Sequence, residues 1–244
     1  RKITAYHEMG HAIVGHLLEN TDPVHKISII SRGQALGYTI SLPTEDKFLT
    51  TRAELTDTMA MTLGGRAAEE IIFGEITTGA SNDLEKVTET AKQMVMRFGM
   101  SERLGPRVFG HDRGQPFLGR EFNAEPDYSD EIAREIDDEI RRIVEHAHQT
   151  AKDILDTRKA DLERISEILL IRETLDAKEF VALLEGASEE EVFPAGLEPV
   201  EEPDYPSEPE PIHTPSSDPS PEPGPPRPGY AGGITETRSN SEDA

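Results

Sequence analysis

The sequence predicts a mainly α-helical domain that carries one small β-hairpin and ends in a disordered tail. Three observations lead there. Apolar residues recur at spacings of three and four in several successive segments, as in helices that bury one face. One stretch, residues 25–43, switches to a period of two, as a strand pair does. After about residue 190 the composition turns to Pro, Glu, Ser and Gly, and 13 of the 18 prolines lie at or beyond Pro194.

Residues 1 to about 20 read as the first helix, with Met9, Ile13 and Leu17 in one row and Val14 and Leu18 in another. Asn20 and Pro23 end it. In "HKISIISRGQALGYTISLP", Ile27 and Ile29, then Tyr38, Ile40 and Leu42, alternate with other residues, and Arg32 and Gly33 supply the turn of a hairpin. Residues 50–74 open with Thr51-x-x-Glu54, a capping box, and carry Met59 and Leu63 into Gly64 and Gly65. They read as two helical pieces, or as one helix thinned at the glycines.

The next helix is predicted with Asn82 as N-cap and Glu85 at its third position, burying Leu84, Val87, Ala91, Met94, Val95 and Phe98 and stopping at Gly99. Residues 100–128 are loop-like, rich in Gly and Pro. Ser129 caps a long helix with an apolar row of Ile132, Ile136, Ile140 and Val144. A further helix covers about 160–171, and another follows Asp176, with Glu179 completing a second capping box. The predicted division is a helical domain over 1–185 and an acidic, Pro-rich tail over 186–244. Apolar content in the tail is too low to offset the entropy of ordering it.

The formal net charge is −23, and residues 186–244 hold 14 acidic residues against Arg227 and Arg238. No basic face is expected, which argues against nucleic acid as a partner. Absence of cysteine excludes a disulfide scaffold, fits a reducing compartment, and leaves His, Asp and Glu to hold any zinc. No stretch resembles a signal peptide or a bilayer span. The chain begins with Arg1, which reads as the downstream piece of a longer protein. It carries no G-x-x-x-x-G-K-[ST] phosphate loop, so ATP hydrolysis by this piece is not expected.

The chemistry concentrates in "HEMGH", residues 7–11. On a helix His7 and His11 share a face, a turn apart, and can aim two imidazoles at one ion. Neutral imidazole suits zinc, and Glu8 flanks that face, where a carboxylate can take a proton from water and pass it to a leaving amine. Gly10 could let another segment approach. The plain alternative is an amphipathic helix with two solvated histidines, and His16, His25, His111, His146, His148 and His213 read as ordinary exposed residues. A catalytic zinc needs a third protein ligand and an open position. Glu69, Glu70, Asp83 and Glu85 are the candidates. The "RAAEE" glutamates suit a solvated face, whereas Asp83 sits in a helix's first turn, where the dipole favours a carboxylate. Spacing ranks Asp83 slightly first.

Six ordered blocks go further: "HEMGHAIVGHLL", "ISIISRGQALGYTISLP", "LGGRAAEEIIFG", "TTGASNDLEKVTETAKQMVMRFGMSERLGP", "FLGREF" and "YSDEIAREIDDEIRRIV". Together, over about residues 1–185, they closely resemble the C-terminal peptidase domain of the FtsH family of ATP-dependent zinc metalloproteases (peptidase family M41). The resemblance implies a helical zinc metallopeptidase domain with its small sheet beside the active site. It implies one Zn2+ per chain, held by His7, His11 and Asp83, with Glu8 as general base. It also implies that Gly37, Tyr38, Thr39, Ile40 and Ser41 form a strand whose edge takes extended substrate by main-chain hydrogen bonds. "LGGRAAEE" is better explained by packing or subunit contacts.

For the full-length protein the resemblance implies an upstream AAA+ module that alone uses ATP, a membrane anchor in the same polypeptide, and a homo-hexamer. It places that protein on the cytoplasmic face of the inner membrane, in protein quality control, degrading unfolded, misfolded or membrane-extracted proteins. The fragment itself is expected to be soluble. Two other readings are an oligomeric scaffold with a structural or vestigial zinc site, and a single-domain zinc peptidase independent of ATP. The retained Glu8 argues against the first, because a structural site has no use for a base.

Overall fold

The computed structural model describes residues 1–31, 36–43, 49–110 and 127–199. Helix α1 (Lys2–Leu17) lies at the centre, buried from Ala5 to Gly10 and from Ala12 to Gly15. Met9, Ile13 and Val14 fill the core as their spacing predicts, but Leu17 is 39% exposed. The reason is that α1 is enclosed along its middle, while both ends, with Ile3 at 43% and Leu17, reach the surface.

Strand β1 (Val24–Ser28) pairs antiparallel with β2 (Tyr38–Ser41), matching Ile27 to Thr39 and Ser28 to Tyr38, with a bulge between Val24 and Lys26. The expected turn at Arg32 and Gly33 lies outside the described residues. Strand β3 (Thr174–Asp176) pairs with the other side of β1, giving the order β2-β1-β3. The hairpin is therefore two strands of a three-stranded sheet. Three residues are too few to show alternation. What holds β3 is tertiary: Leu175 is fully buried opposite Ile27, and the Ser28 and Thr174 hydroxyls are 2.9 Å apart.

Helix α2 (Arg52–Phe73) is one unbroken helix, with both halves of the Thr51–Glu54 capping box made and Gly74 as a left-handed C-cap. The glycines do not thin it; they let it touch α1. A Cβ on Gly64 would lie 2.6 Å from the Gly10 carbonyl oxygen, so the two backbones meet where neither has a side chain. The close approach expected at Gly10 is thus present.

A 3-10 turn (Thr78–Ala80), capped by the Thr77 hydroxyl accepting the Gly79 N–H, leads into α3 (Ser81–Met96). Asn82 is accordingly inside the helix, not its cap. Val87, Ala91, Met94 and Val95 are buried, whereas Phe98 is 52% exposed because the chain has already left the helix and turns at Gly99. Helix α4 (Asp130–Thr157) starts at Ser129 as predicted, but of the expected row only Ile136 is fully buried. The buried stripe runs on through Glu139, Ile143, Ala147, Ala151 and Leu155. Glu139 is acceptable there because it accepts from the Ser101 hydroxyl and from two nitrogens of Arg142, all at 2.8 Å.

Helices α5 (Lys159–Arg172) and α6 (Ala177–Leu184) follow, the latter opened by the Asp176–Glu179 capping box. Packing continues beyond residue 185. Short α7 (Glu189–Val192) leads to Phe193, buried with the Arg172 guanidinium 4.6 Å from its ring centre. One aromatic in an acidic, proline-rich segment supplies that anchor. The "FLGREF" block and the tail beyond residue 199 lie outside the described residues.

Candidate metal centre

Three elements meet at the histidines. His7 and His11, one turn apart on α1, have Nε2 atoms 3.0 Å from each other. Asp83, in the first turn of α3, brings Oδ2 to 3.3 Å from His7 Nε2 and 3.4 Å from His11 Nε2. A Cβ on Gly65 of α2 would lie 2.6 Å from His7 Nε2 and 2.7 Å from His11 Nε2, so that glycine leaves room for the cluster.

The far nitrogen of each ring is held by an acceptor. His7 Nδ1 is 2.8 Å from Glu69 Oε1, and His11 Nδ1 is 2.9 Å from the Met61 carbonyl oxygen. A carbonyl and a carboxylate both accept, which favours a proton on Nδ1 of each neutral ring, although the Gly65 N–H also approaches His11 Nδ1 at 3.3 Å. Both Nε2 lone pairs then face each other and a carboxylate oxygen. With both rings neutral, three acceptors at this range repel one another unless a proton or a metal cation lies between them.

Zinc fits that demand. Tetrahedral bonds of about 2.0–2.1 Å place ligand atoms roughly 3.3 Å apart, close to the separations found. Among the described residues, His7, His11 and Asp83 form a group with metal-ligating geometry. These residues would offer such an ion three protein donors, the number found in catalytic zinc sites.

The same side chains are coupled electrostatically. Burial pushes the His7 pKa down, but its hydrogen bond with Asp83, the nearby Glu8 charge and the Glu69 hydrogen bond outweigh this and raise it. Burial would raise Asp83, but both histidines hold it well below the usual carboxylate range.

Glu8 is buried beside His7 but turns towards β2, where the Thr39 hydroxyl lies 2.8 Å from its Oε2. Gly37 adjoins it too: a Cβ there would be 3.0 Å from Glu8 Oε1. The sequence-predicted strand and the predicted base are therefore neighbours. Tyr38, Thr39, Ile40 and Ser41 are half-buried in β2, which is an edge strand among the described residues.

The other candidates fall elsewhere. Glu69 is not solvated; it is 1% exposed, and beyond His7 it accepts the Thr77 N–H at 2.8 Å. Glu70 pairs with Arg66 at 3.2 Å and Lys152 at 3.3 Å, and Glu85 is exposed. His16, His25 and His146 are exposed as expected, whereas His148 is half-buried 3.3 Å from Glu70, with its pKa lowered by burial. His111 and His213 lie outside the described residues. The supporting roles of Glu69, the Met61 carbonyl and the Thr39 hydroxyl had no spacing signal, because each is set by contact between distant elements.

The model of peptidase family M41 matches residues 1–183. The chain is 72% identical over 236 residues to the ATP-dependent zinc metalloprotease FtsH 1 of Conexibacter woesei, covering 97% of this chain and 35% of that protein. It is 56% identical over 185 residues to the FtsH of Rubrobacter xylanophilus, covering 76% of this chain and 28% of that one. Against the FtsH of Bacillus subtilis it is 52% identical over 186 residues, covering 76% and 29%. The chain thus spans about a third of the length of the curated relatives it matches. It belongs to peptidase family M41.

Proposed function

From that membership we propose that this chain is a zinc-dependent endopeptidase domain, with His7, His11 and Asp83 as zinc ligands. The observation that carries the reading is the convergence of three acceptor atoms at 3.0–3.4 Å, with both imidazoles oriented from behind. When bound, zinc supplies Lewis acidity for a peptide carbonyl and lowers the pKa of a water towards about 7.

The chain's own residues handle the rest. The Glu8 carboxylate takes a proton from the attacking water as its oxygen joins the carbonyl carbon. It then gives that proton to the amide nitrogen as the C–N bond breaks, leaving a carboxylic acid and an amine. Residues 37–41 hold the substrate extended through main-chain hydrogen bonds along the free edge of β2, a mode that reads little side-chain sequence. Glu69 and the Met61 carbonyl keep each imidazole in its tautomer and orientation.

The same reading assigns residues 1–185 to the peptidase domain, with 186–199 as a packed extension and the acidic remainder as a tail. In the full-length protein, an upstream AAA+ module in the same polypeptide uses ATP to feed unfolded, misfolded or membrane-extracted proteins to a homo-hexamer of these domains. A membrane anchor places it at the cytoplasmic face of the inner membrane. Among the described residues no helix is long and apolar enough to cross a membrane.

The test is cleavage of a long, unstructured peptide by the zinc-loaded chain and by Glu8→Gln. Bound zinc in both, with turnover lost in the variant, is the expected result. Undiminished turnover in Glu8→Gln would remove Glu8 from the mechanism.

A further inference from the structure

We propose that Thr39 is a positioning residue, whose hydroxyl fixes the Glu8 carboxylate and ties it to the strand that receives substrate. This rests on the reading of Glu8 as the proton carrier. Thr39 Oγ1 lies 2.8 Å from Glu8 Oε2 and 3.1 Å from the Glu8 carbonyl oxygen. A hydroxyl has one proton to give, and the carboxylate oxygen is both nearer and the stronger acceptor. The hydroxyl therefore donates to Oε2.

Strand geometry explains why Thr39 can do this. Successive side chains of a strand point to opposite faces, so residues 37, 39 and 41 share one face. That face is turned to α1, because a Cβ at Gly37 would lie 2.7 Å from Thr4 Cγ2 and 3.0 Å from Glu8 Cγ. Gly37 thus leaves space for the Glu8 side chain, and Thr39 supplies the donor that holds it. The terminal torsion of a glutamate is broad and roughly two-fold. A hydrogen bond to one oxygen removes that freedom and leaves Oε1 to exchange the proton.

Thr39 consequently has two separate jobs on one residue. Its backbone belongs to the edge strand, paired opposite Ile27 of β1. Its hydroxyl is committed to Glu8 and is not offered to substrate. A peptide that adds to β2 is thereby seated on the same strand that aligns the proton carrier.

The experiment compares zinc-loaded wild type, Thr39→Val and Thr39→Ser on a long, unstructured peptide, with zinc content and Tm measured alongside. Valine keeps the shape and removes the donor; serine keeps the donor and removes the methyl. Loss of a hydrogen bond to a charged group predicts a fall in kcat of about tenfold for Thr39→Val. KM, zinc content and Tm should stay near wild type, and Thr39→Ser should recover most of kcat. Wild-type kcat in Thr39→Val would overturn the inference, as would a serine variant no better than the valine one. A zinc-loaded wild-type chain that cleaves nothing would instead overturn the proposed function, and this inference with it.

Discussion

Glu69 Oε1 lies 2.8 Å from His7 Nδ1, and the other oxygen of the same carboxylate accepts the Thr77 N–H at 2.8 Å. One buried side chain on α2 thus orients a proposed ligand on α1 and anchors the turn that leads to Asp83. Substituting Glu69 should loosen both. Partners of this kind are typically worth about 10–100-fold in metal affinity, and Glu69→Ala is expected to weaken zinc by that much. Competition against a chromophoric chelator measures it, and Glu69→Gln should fall between the variant and wild type.

Gly65 makes a steric prediction. A methyl at that position would sit 2.6 Å from His7 Nε2 and 2.7 Å from His11 Nε2. Gly65→Ala should therefore remove zinc binding while the helix, which tolerates alanine well, still forms. Gly64→Ala should act differently, because its Cβ would meet the α1 backbone at the Gly10 carbonyl. Overpacking of this kind costs about 1–3 kcal/mol, so the expected readout is a lower Tm or denaturation midpoint.

The metal-free site should carry a pH signature. Asp83 is held below its ordinary pKa, so its contribution is present above about pH 4, the unfolded value, and is lost as pH falls through the depressed one. His7 is raised, so its contribution is complete below about pH 6.5 and is lost as pH rises through the raised value. Both describe one coupling between the imidazoles and the carboxylate. Denaturation of chelator-treated wild type minus Asp83→Asn should give a difference that is largest between about pH 4 and 6.5 and shrinks as pH rises above that window. A difference that stays flat as pH rises above it would count against the coupling.

Glu139 is a buried acid away from the histidines, and Arg142, as its main partner, lowers its pKa. Glu139→Ala leaves the buried Ser101 hydroxyl without its acceptor, whereas the half-exposed Arg142 can return to water. A destabilisation of about 1–3 kcal/mol follows from stranding a buried polar group, and urea denaturation would register it.

These expectations separate what periodicity can carry from what it cannot. Caps were legible because they are local: Thr51 with Glu54, Asp176 with Glu179, and Ser129 each act within three residues. The two histidines were legible for the same reason, being one helical turn apart. Strand β3 was not, because its three residues are held by β1, which lies far away in sequence. Leu17 and Phe98 misled because an apolar residue at the right spacing can still fall past the point where its neighbours stop. Glu69 misled most. In "RAAEE" nothing distinguishes it from Glu70; the approach of α1 through Gly10 and Gly64 puts one glutamate against His7, and the packing of α4 on α2 puts the other beside Lys152. Likewise, spacing alone left Asp83 only slightly ahead of its rivals; the folded chain brings it to within 3.4 Å of both Nε2 atoms.

The most direct test of the account is a crystal structure of the zinc-loaded protein with an anomalous difference map collected at the zinc edge. The account predicts one strong peak per chain at about 2.0–2.2 Å from His7 Nε2, His11 Nε2 and an Asp83 carboxylate oxygen, with no fourth protein ligand. A peak away from Asp83, or one closed off by a fourth side chain, would contradict it and favour a structural site.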